Sequence, residues 1–316
     1  MKYIIIISMC ALIFFSSCEK YKEKGSPEYI KEINDWHQKR IENLKKENGW
    51  LNLVGLFFLK EGKNTFGSGN QNDFVIDDPQ LPEKICPFIL RDTLVEMIAN
   101  DNVELLVDSL PVKRIFLNHD LTGKPTIVAY KNYRWFIIKR GDKFALRVRN
   151  LEAPLVKEFK SIDRFPVNED WKIVADFIPY NPPKEVLIPS IIGIPEKEIS
   201  PGKVRFKVGD KTFELQALDA GDKLFFVFAD ETNGKETYGA GRFLYADKPD
   251  SNGKVILDFN KAYNPPCAFT KYATCPLPTP DNYLKIRVTA GEKKYGEHLK
   301  FVSKFFNLSK KLTGYK

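Results

Sequence analysis

The residues best able to do chemistry lie close together, in DFNKAYNPPCAFTKYATCPLPTPDN from Asp258 to Asn282, preceded by YGAGRFLY from Tyr238 to Tyr245. Carboxylate, amide, thiol and phenol groups alternate there with five prolines, and neither a helical nor a strand period runs through them. Asp258 and Asn260 share one strand face by period two, so both can converge on one ligand or one backbone group. Asn264-Pro265-Pro266 forces extended backbone and sets Cys267 just after a stiff elbow. Ala273-Thr274-Cys275-Pro276-Leu277-Pro278 forms a second elbow of the same kind. Arg242 and Arg287 offer bidentate clamps for a carboxylate or phosphate. Asp230, Glu231, Glu236, Asp258 and Glu292 are the carboxylates from which an acid–base pair can be drawn. Tyr238, Tyr263 and Tyr272 supply rings suited to a sugar or planar ligand. The candidate ligand set is therefore Tyr238, Arg242, Asp258, Asn260, Tyr263, Asn264, Tyr272 and Asn282.

Each of these residues has a structural alternative. Arg242 and Asp258 suit a buried ion pair holding the last hairpin. Asn260, Asn264 and Asn282 suit the common task of buried Asn, satisfying backbone groups in a turn-rich loop. Cys267 and Cys275 suit a disulfide or packed thiols better than a catalytic thiolate, for no His or Lys motif stands beside them. Gly239-Ala240-Gly241 has no third Gly and no following helix, so it reads as backbone freedom ahead of a strand rather than a nucleotide loop. No GxSxG, HExxH, P-loop or paired CxxC is present, and the three histidines, His37, His119 and His298, are scattered. Neither a Ser-His-Asp triad nor a zinc cluster can be assembled from them, and no metal or cofactor is expected.

The elements that must hold this segment are mostly strands. Ser26-Pro27-Glu28 opens a helix by capping, N1 proline and dipole logic. Ile30, Ile33, His37, Ile41 and Leu44 continue it at helical spacing until Asn48-Gly49, which predicts a helix over 26–48; His37 reads as a packing residue. Tyr133–Ile138 and Phe144–Arg149 flank Arg140-Gly141-Asp142 as a hairpin, and Val204–Lys207 and Thr212–Leu215 flank Gly209-Asp210 likewise. Arg242–Ala246 and Lys254–Phe259 flank Asn252-Gly253, a strong turn pair. Lys223–Ala229 is a continuous apolar run and predicts a central strand; Tyr283–Thr289 alternates and predicts a strand with one wet face. The fold expected is mainly β, a sandwich or barrel-like domain over 49–295 with one N-terminal helix and a short C-terminal helix. Prolines at 154, 166, 179, 182 and 183 mark a candidate subdomain break within 150–200.

Three runs resemble a known family: FFVFADETNGKETYGAGRFLY (225–245), LDFNKAYNPPCAFTKYATCPLPTPDNYL (257–284) and AGEKKY (290–295). They look like DUF1684, a bacterial and archaeal family with no established activity. Upstream, Trp36-x3-Arg40 and GWLNLVGLFFLKEGKNTFG (49–67) are similar to the family's helix and first strands, more loosely. The resemblance supplies a family and no mechanism.

The ends give an address. Lys2, the apolar run Ile4–Phe15 and Phe15-Ser16-Ser17-Cys18 read as a signal peptide over 1–17 with a lipoprotein processing site. The apolar run is shorter than the roughly 20 residues that span a bilayer. Cys18 is thus expected to carry lipid, with 18–25 as a tether, and Glu19 favours the outer over the inner membrane. The expected address is the cell envelope, with the membrane as partner through Cys18. Formal charge is +8, and seven Lys against one Glu from Lys293 onward account for most of it. The body is close to neutral, so no basic face invites nucleic acid. The 296–316 tail suits a basic amphipathic helix lying on a membrane, a partner or its own domain. Function is expected to be binding of a polar small molecule or glycan at 238–282; a hydrolase using a carboxylate pair or Cys267 is the first alternative, a structural envelope component the second.

Overall fold

The computed structural model describes residues 21–296. The signal segment, Cys18 and the amphipathic tail from 297 onward, with the expected C-terminal helix, lie outside those residues.

The chain is mainly β, with one long helix. The helix Pro27–Lys45 begins where the sequence predicts it: Ser26 is the N-cap, its Oγ accepting from the Tyr29 amide at 3.1 Å, and Pro27 sits at the first helical position. Its stripe of Tyr29, Ile33, Ile41 and Leu44 is buried. His37 lies half-buried on that stripe, its Nε2 within 3.1 Å of the Ile162 carbonyl, and burial holds its pKa below the ordinary value. It packs, as its position predicts.

Two β units follow. In the first, a six-stranded sheet and a five-stranded sheet enclose one apolar core that includes Phe66, Phe88, Trp135 and Val148. The hairpin Tyr133–Arg140 and Lys143–Asn150 turns at Gly141, at φ 58°, and carries the six-stranded sheet's centre. Strand Lys143–Asn150 is buried on both faces: Leu146 and Val148 enter the sandwich core, while Arg147 and Arg149 point away from it and are still buried.

The second unit is a strongly curved sheet running Arg242–Asp247, Lys223–Asp230, Lys211–Ala220, Glu196–Val208, Lys172–Ile188 and Lys254–Asp258, antiparallel throughout. Its two outer strands come near each other, so the sheet nearly closes into a barrel around Phe206, Phe226, Phe228, Leu257 and Phe259. Lys223–Asp230 sits inside the sheet, as its apolar run predicts.

Two expectations require correction. Arg242–Asp247 and Lys254–Asp258 do not form a hairpin ladder. Each pairs on its far side, with Lys223–Asp230 and Lys172–Ile188 respectively, and they meet only as the lips of the barrel. The second concerns 283–289, where only Tyr283–Leu284 is a strand, parallel to Ala229 and Asp230. Beyond it the backbone leaves the ladder because its carbonyls at Val288 and Ala290 are taken by the Arg242 guanidinium, at 3.0 and 2.5 Å.

Gly241 opens the strand at φ +93°, and a Cβ there would lie 2.7 Å from the Phe228 carbonyl oxygen and 2.5 Å from Pro278 Cγ. We expect Gly241→Ala to lose more than ~1 kcal/mol in urea denaturation, and unchanged stability would show that the loop 276–278 shifts freely.

Candidate functional site

The sequence-predicted residues do not meet in one cavity. They divide among three packed places and one cleft.

The first place is the barrel core. Arg242 is fully buried; its Nη2 donates to Asp230 Oδ2 at 2.8 Å and to the Val288 carbonyl, and its Nη1 to the Ala290 and Glu292 carbonyls. Asp230 Oδ1 accepts from the Thr232 amide and hydroxyl and from the Val288 amide. The ion pair anticipated between Arg242 and Asp258 is therefore not formed, for Asp230 is the partner. Asn282 lies nearby on the sheet, bonding both backbone groups of Gln216 and the Val227 carbonyl, and so patches the ladder rather than facing a ligand.

The second place lies under the helix. Asp258 Oδ1 accepts from the Tyr29 hydroxyl at 2.8 Å and from the Asn260 amide at 3.1 Å. Asn260 spans to Asn168, accepting from its amide and donating to its carbonyl. The strand face predicted for these two residues is not formed, because the strand ends at Asp258 and Phe259–Lys261 is a 3-10 turn; the two side chains meet instead at the Tyr29 hydroxyl and hold the helix to the barrel. Burial, and then the Asp258 carboxylate, push the Tyr29 phenol far above its ordinary pKa.

The third place fastens the proline loop. Asn264 donates its amide to Glu292 Oε2 at 2.7 Å and its side chain to the Lys293 carbonyl, while its own carbonyl accepts from Arg40. Arg40 pairs with Glu292 at 3.3 Å and lies 4.4 Å above the Tyr263 ring. Tyr263 stacks in parallel with Tyr245, which stacks on Phe225. Those ring faces are spent on one another and on Arg40. Burial raises the pKa of Glu292, opposed by Arg40. Tyr238 is buried and donates to the Cys267 carbonyl at 3.0 Å. Tyr272 is half-buried; its amide donates to Thr270 Oγ1 at 3.2 Å and Lys271 Nζ lies 5.3 Å from its ring centroid. Arg287 bonds Glu236 and Tyr21 at the surface.

Cys267 and Cys275 are free thiols in this structure rather than a disulfide. They touch all the same, the Cys267 amide donating to Cys275 Sγ at 3.1 Å. Burial, reinforced by Cys267, drives the Cys275 thiol well above its ordinary pKa, the reverse of what a nucleophile requires.

What remains is a cleft of about 210 Å³ where the two β units meet. The second elbow forms one wall with Ala273, Thr274, Cys275 and Pro276; Trp50 and Arg140 come from the first unit; Ile188, Ser190, Glu196 and Glu198 come from the far end of the long hairpin 172–208. The elbow is pinned by backbone bonds from Ile191 to Cys275 (2.9 Å) and from Leu277 to Pro189 (2.7 Å). Arg140 is shared, with Asp120 at 2.6 Å, Glu196 at 3.3 Å and the Thr274 hydroxyl at 3.0 Å. Arg147 reaches the same hydroxyl at 3.2 Å. Burial raises the pKa of both Glu196 and Glu198, with Arg140 opposing. Sequence reasoning found the elbow and missed the other two walls, which lie far from it in the chain. The readable signal was Ala145-Leu-Arg-Val-Arg-Asn150, where arginines alternate with apolar residues on a strand whose second face must also be covered.

Among the described residues no group of three or more His, Cys, Asp or Glu side chains can hold a metal ion. No helix among them is long and apolar enough to cross a membrane.

Residues 157–293 match the family model DUF1684, described as a protein of unknown function, which supports over that region the resemblance carried by the sequence. No curated protein matches. Among solved structures the chain is similar to an uncharacterised protein of Haloarcula marismortui determined by solution NMR, at 29% identity over 45% of this chain and 80% of that one, with a TM-score of 0.38. It is also similar to the FhaA FHA domain complexed with the intracellular domain of Rv3910, at 14% identity over 29% of this chain and 96% of that one, with a TM-score of 0.21.

Two variants separate packing from ligand contact. Arg242→Met leaves Asp230 buried without its cation and is expected to cost ~3–5 kcal/mol in chemical denaturation. Tyr29→Phe, which strips one bond from Asp258, is expected to cost ~1 kcal/mol. An Arg242→Met chain as stable as the parent would return Arg242 to the ligand set.

Proposed function

We propose that this chain is a lipid-anchored envelope protein that binds a small polar ligand in the cleft beside the second proline elbow. One observation carries the reading: groups from both β units and from the stiffened loop line a single cavity that mixes an aromatic wall with arginine and carboxyl groups. Of the segment 238–282, the part that serves the ligand is Phe243, Pro266 and 273–276, while Arg242, Asp258, Asn260, Asn264 and Asn282 hold the scaffold. The size of the cleft suits one sugar ring or a molecule of similar bulk rather than a long chain.

A hydrolase reading keeps one observation in its favour. Glu196 and Glu198 border the same cleft, and burial raises the pKa of both, the direction a general acid requires. The carboxylates singled out from sequence have no such shared cavity, and the thiol version loses support from the raised Cys275.

The test is mass spectrometry of small molecules released from the purified full-length chain on denaturation. The parent should release a compound that Trp50→Ala and Thr274→Val release much less of, and identical spectra from all three would end the cleft reading. If Glu198→Gln accumulates a larger precursor of the same compound, the hydrolase reading prevails. For the anchor, radiolabelled palmitate should enter the parent and not Cys18→Ser; label in both would remove the lipoprotein assignment.

A further inference from the structure

Among the described residues two buried arginines, Arg147 and Arg149, have no carboxylate within salt-bridge distance, and Arg149 donates instead to the Gly49 carbonyl and to Asn52 Oδ1. Arg242 has Asp230 and three carbonyl oxygens. Arg140 has Asp120 and Glu196. Arg147 is 3% exposed, yet among the described residues no carboxylate lies within salt-bridge distance of it. Among the described residues its hydrogen bond goes to a neutral acceptor, Thr274 Oγ1 at 3.2 Å, and its buried Nε, like that of Arg242, has no partner. A guanidinium so placed is expensive, because burial removes hydration while Asp120 and Glu196 act on it only from beyond salt-bridge distance. Burial, with Arg140 and Arg149 as like-charged neighbours and Asp120 opposing, lowers its pKa to about 10, so it stays charged at neutral pH.

The place of this surplus cation matters more than its cost. Three of its neighbours line the cleft. Arg140 donates to the same Thr274 hydroxyl, and Trp50 lies 5.8 Å from the Arg147 guanidinium carbon. The rest of the wall is largely apolar, through Ile188, Phe243, Pro266 and Pro276. Two carboxyls at the rim, Glu196 and Glu198, would repel a dianion.

Resting on the cleft reading above, we infer that the ligand is a small organic monoanion of the carboxylate class, its charge neutralising Arg147 beside Thr274 and its body lying against Trp50. A carboxylate suits a guanidinium in planar, two-point fashion, and one cation without a contacting carboxylate calls for one negative charge.

The proposal carries a pH consequence. Glu196 faces Arg140, Arg147, Glu198 and Asp120, and Glu198 faces Arg140. Burial raises the pKa of both glutamates. As pH falls they lose their charge earlier than an unperturbed carboxyl would, which removes repulsion and frees Arg140. Carboxylate binding therefore tightens as pH falls through the range in which they take up protons.

The experiment uses the full-length chain with benzoate, inorganic phosphate and the neutral isostere benzamide as probes. Readouts are the melting temperature and the Nε–H resonance of Arg147 in nitrogen-15 spectra. Benzoate should raise the melting temperature and shift that resonance, at least about tenfold more effectively than benzamide, with phosphate weaker than benzoate. Arg147→Met should abolish the benzoate effect while raising the melting temperature of the ligand-free chain, since it removes a buried unpaired charge; a merely structural Arg147 would give the opposite sign. Should Arg147→Met fail to fold, Glu196→Gln decides instead, by tightening benzoate binding at pH 7.5 and flattening its pH dependence. Equal effects of benzoate and benzamide would overturn the anion assignment and leave the cleft reading standing. Phosphate stronger than benzoate would overturn the monoanion. Silence from every probe, with a compound still released from the parent and lost in Trp50→Ala, would overturn the charge assignment alone.

Discussion

The buried pair Arg242–Asp230 is the interaction on which the rest of the arrangement depends. Both side chains are wholly removed from water, and the guanidinium also donates through Nη1 and Nη2 to carbonyls of 288–292. That segment is thereby drawn across the barrel and delivers Glu292 to a fixed place. Glu292 in turn receives the Asn264 amide and the Arg40 guanidinium. Asn264 starts the first proline elbow, and the loop runs from there to Thr274 and Cys275 in the cleft. Strand, closing segment, helix and loop are thus linked through one charge pair. Removing either member would leave the other buried and unpaired, a loss of about 3–5 kcal/mol in a molecule whose whole stability is of order 5–15 kcal/mol.

The sequence made some of this legible and hid the rest for physical reasons. Local chemistry was readable: Ser26 and Pro27 start the helix, Gly141 turns a hairpin, and the apolar run from Lys223 sits inside the sheet. Those features depend on residues a few positions apart. The closing of the barrel was not readable, because Asn252-Gly253 announces a turn without saying which strands pair across it. The same limit applies to 283–289. Its alternation obeys strand rules, but the demand of the Arg242 donors for carbonyls outweighs a ladder. Tertiary hydrogen bonding overrode the local pattern.

The candidate site divides along the same line. Asp258, Asn260, Asn264 and Asn282 drew notice as polar residues in a loop without period, and polar residues there have two uses that composition cannot separate. All four are occupied with backbone groups or with Tyr29. The prolines were the better guide, since they mark where the chain is stiff enough to serve as a wall. Trp50, Arg140 and Glu196 belong to the cleft only through the meeting of two β units. No spacing rule joins residue 50 to residue 274.

Arg147 and Arg242 are the same side chain at similar depth, and their difference is instructive. Each is excluded from water, so each must recover its lost hydration from neighbours. Arg242 does so through a carboxylate and three carbonyls, and its position follows from folding alone. Arg147 recovers one neutral hydroxyl and a place over the Trp50 ring, 5.8 Å from its centroid. An unsatisfied buried donor costs about 1–3 kcal/mol, and more when it is charged. A strand that needed only packing would carry an aliphatic residue there, as it does at Leu146 and Val148 on the opposite face. The folded chain therefore keeps a charge that no carboxylate of the described residues contacts, beside a cavity where a molecule from outside could contact it.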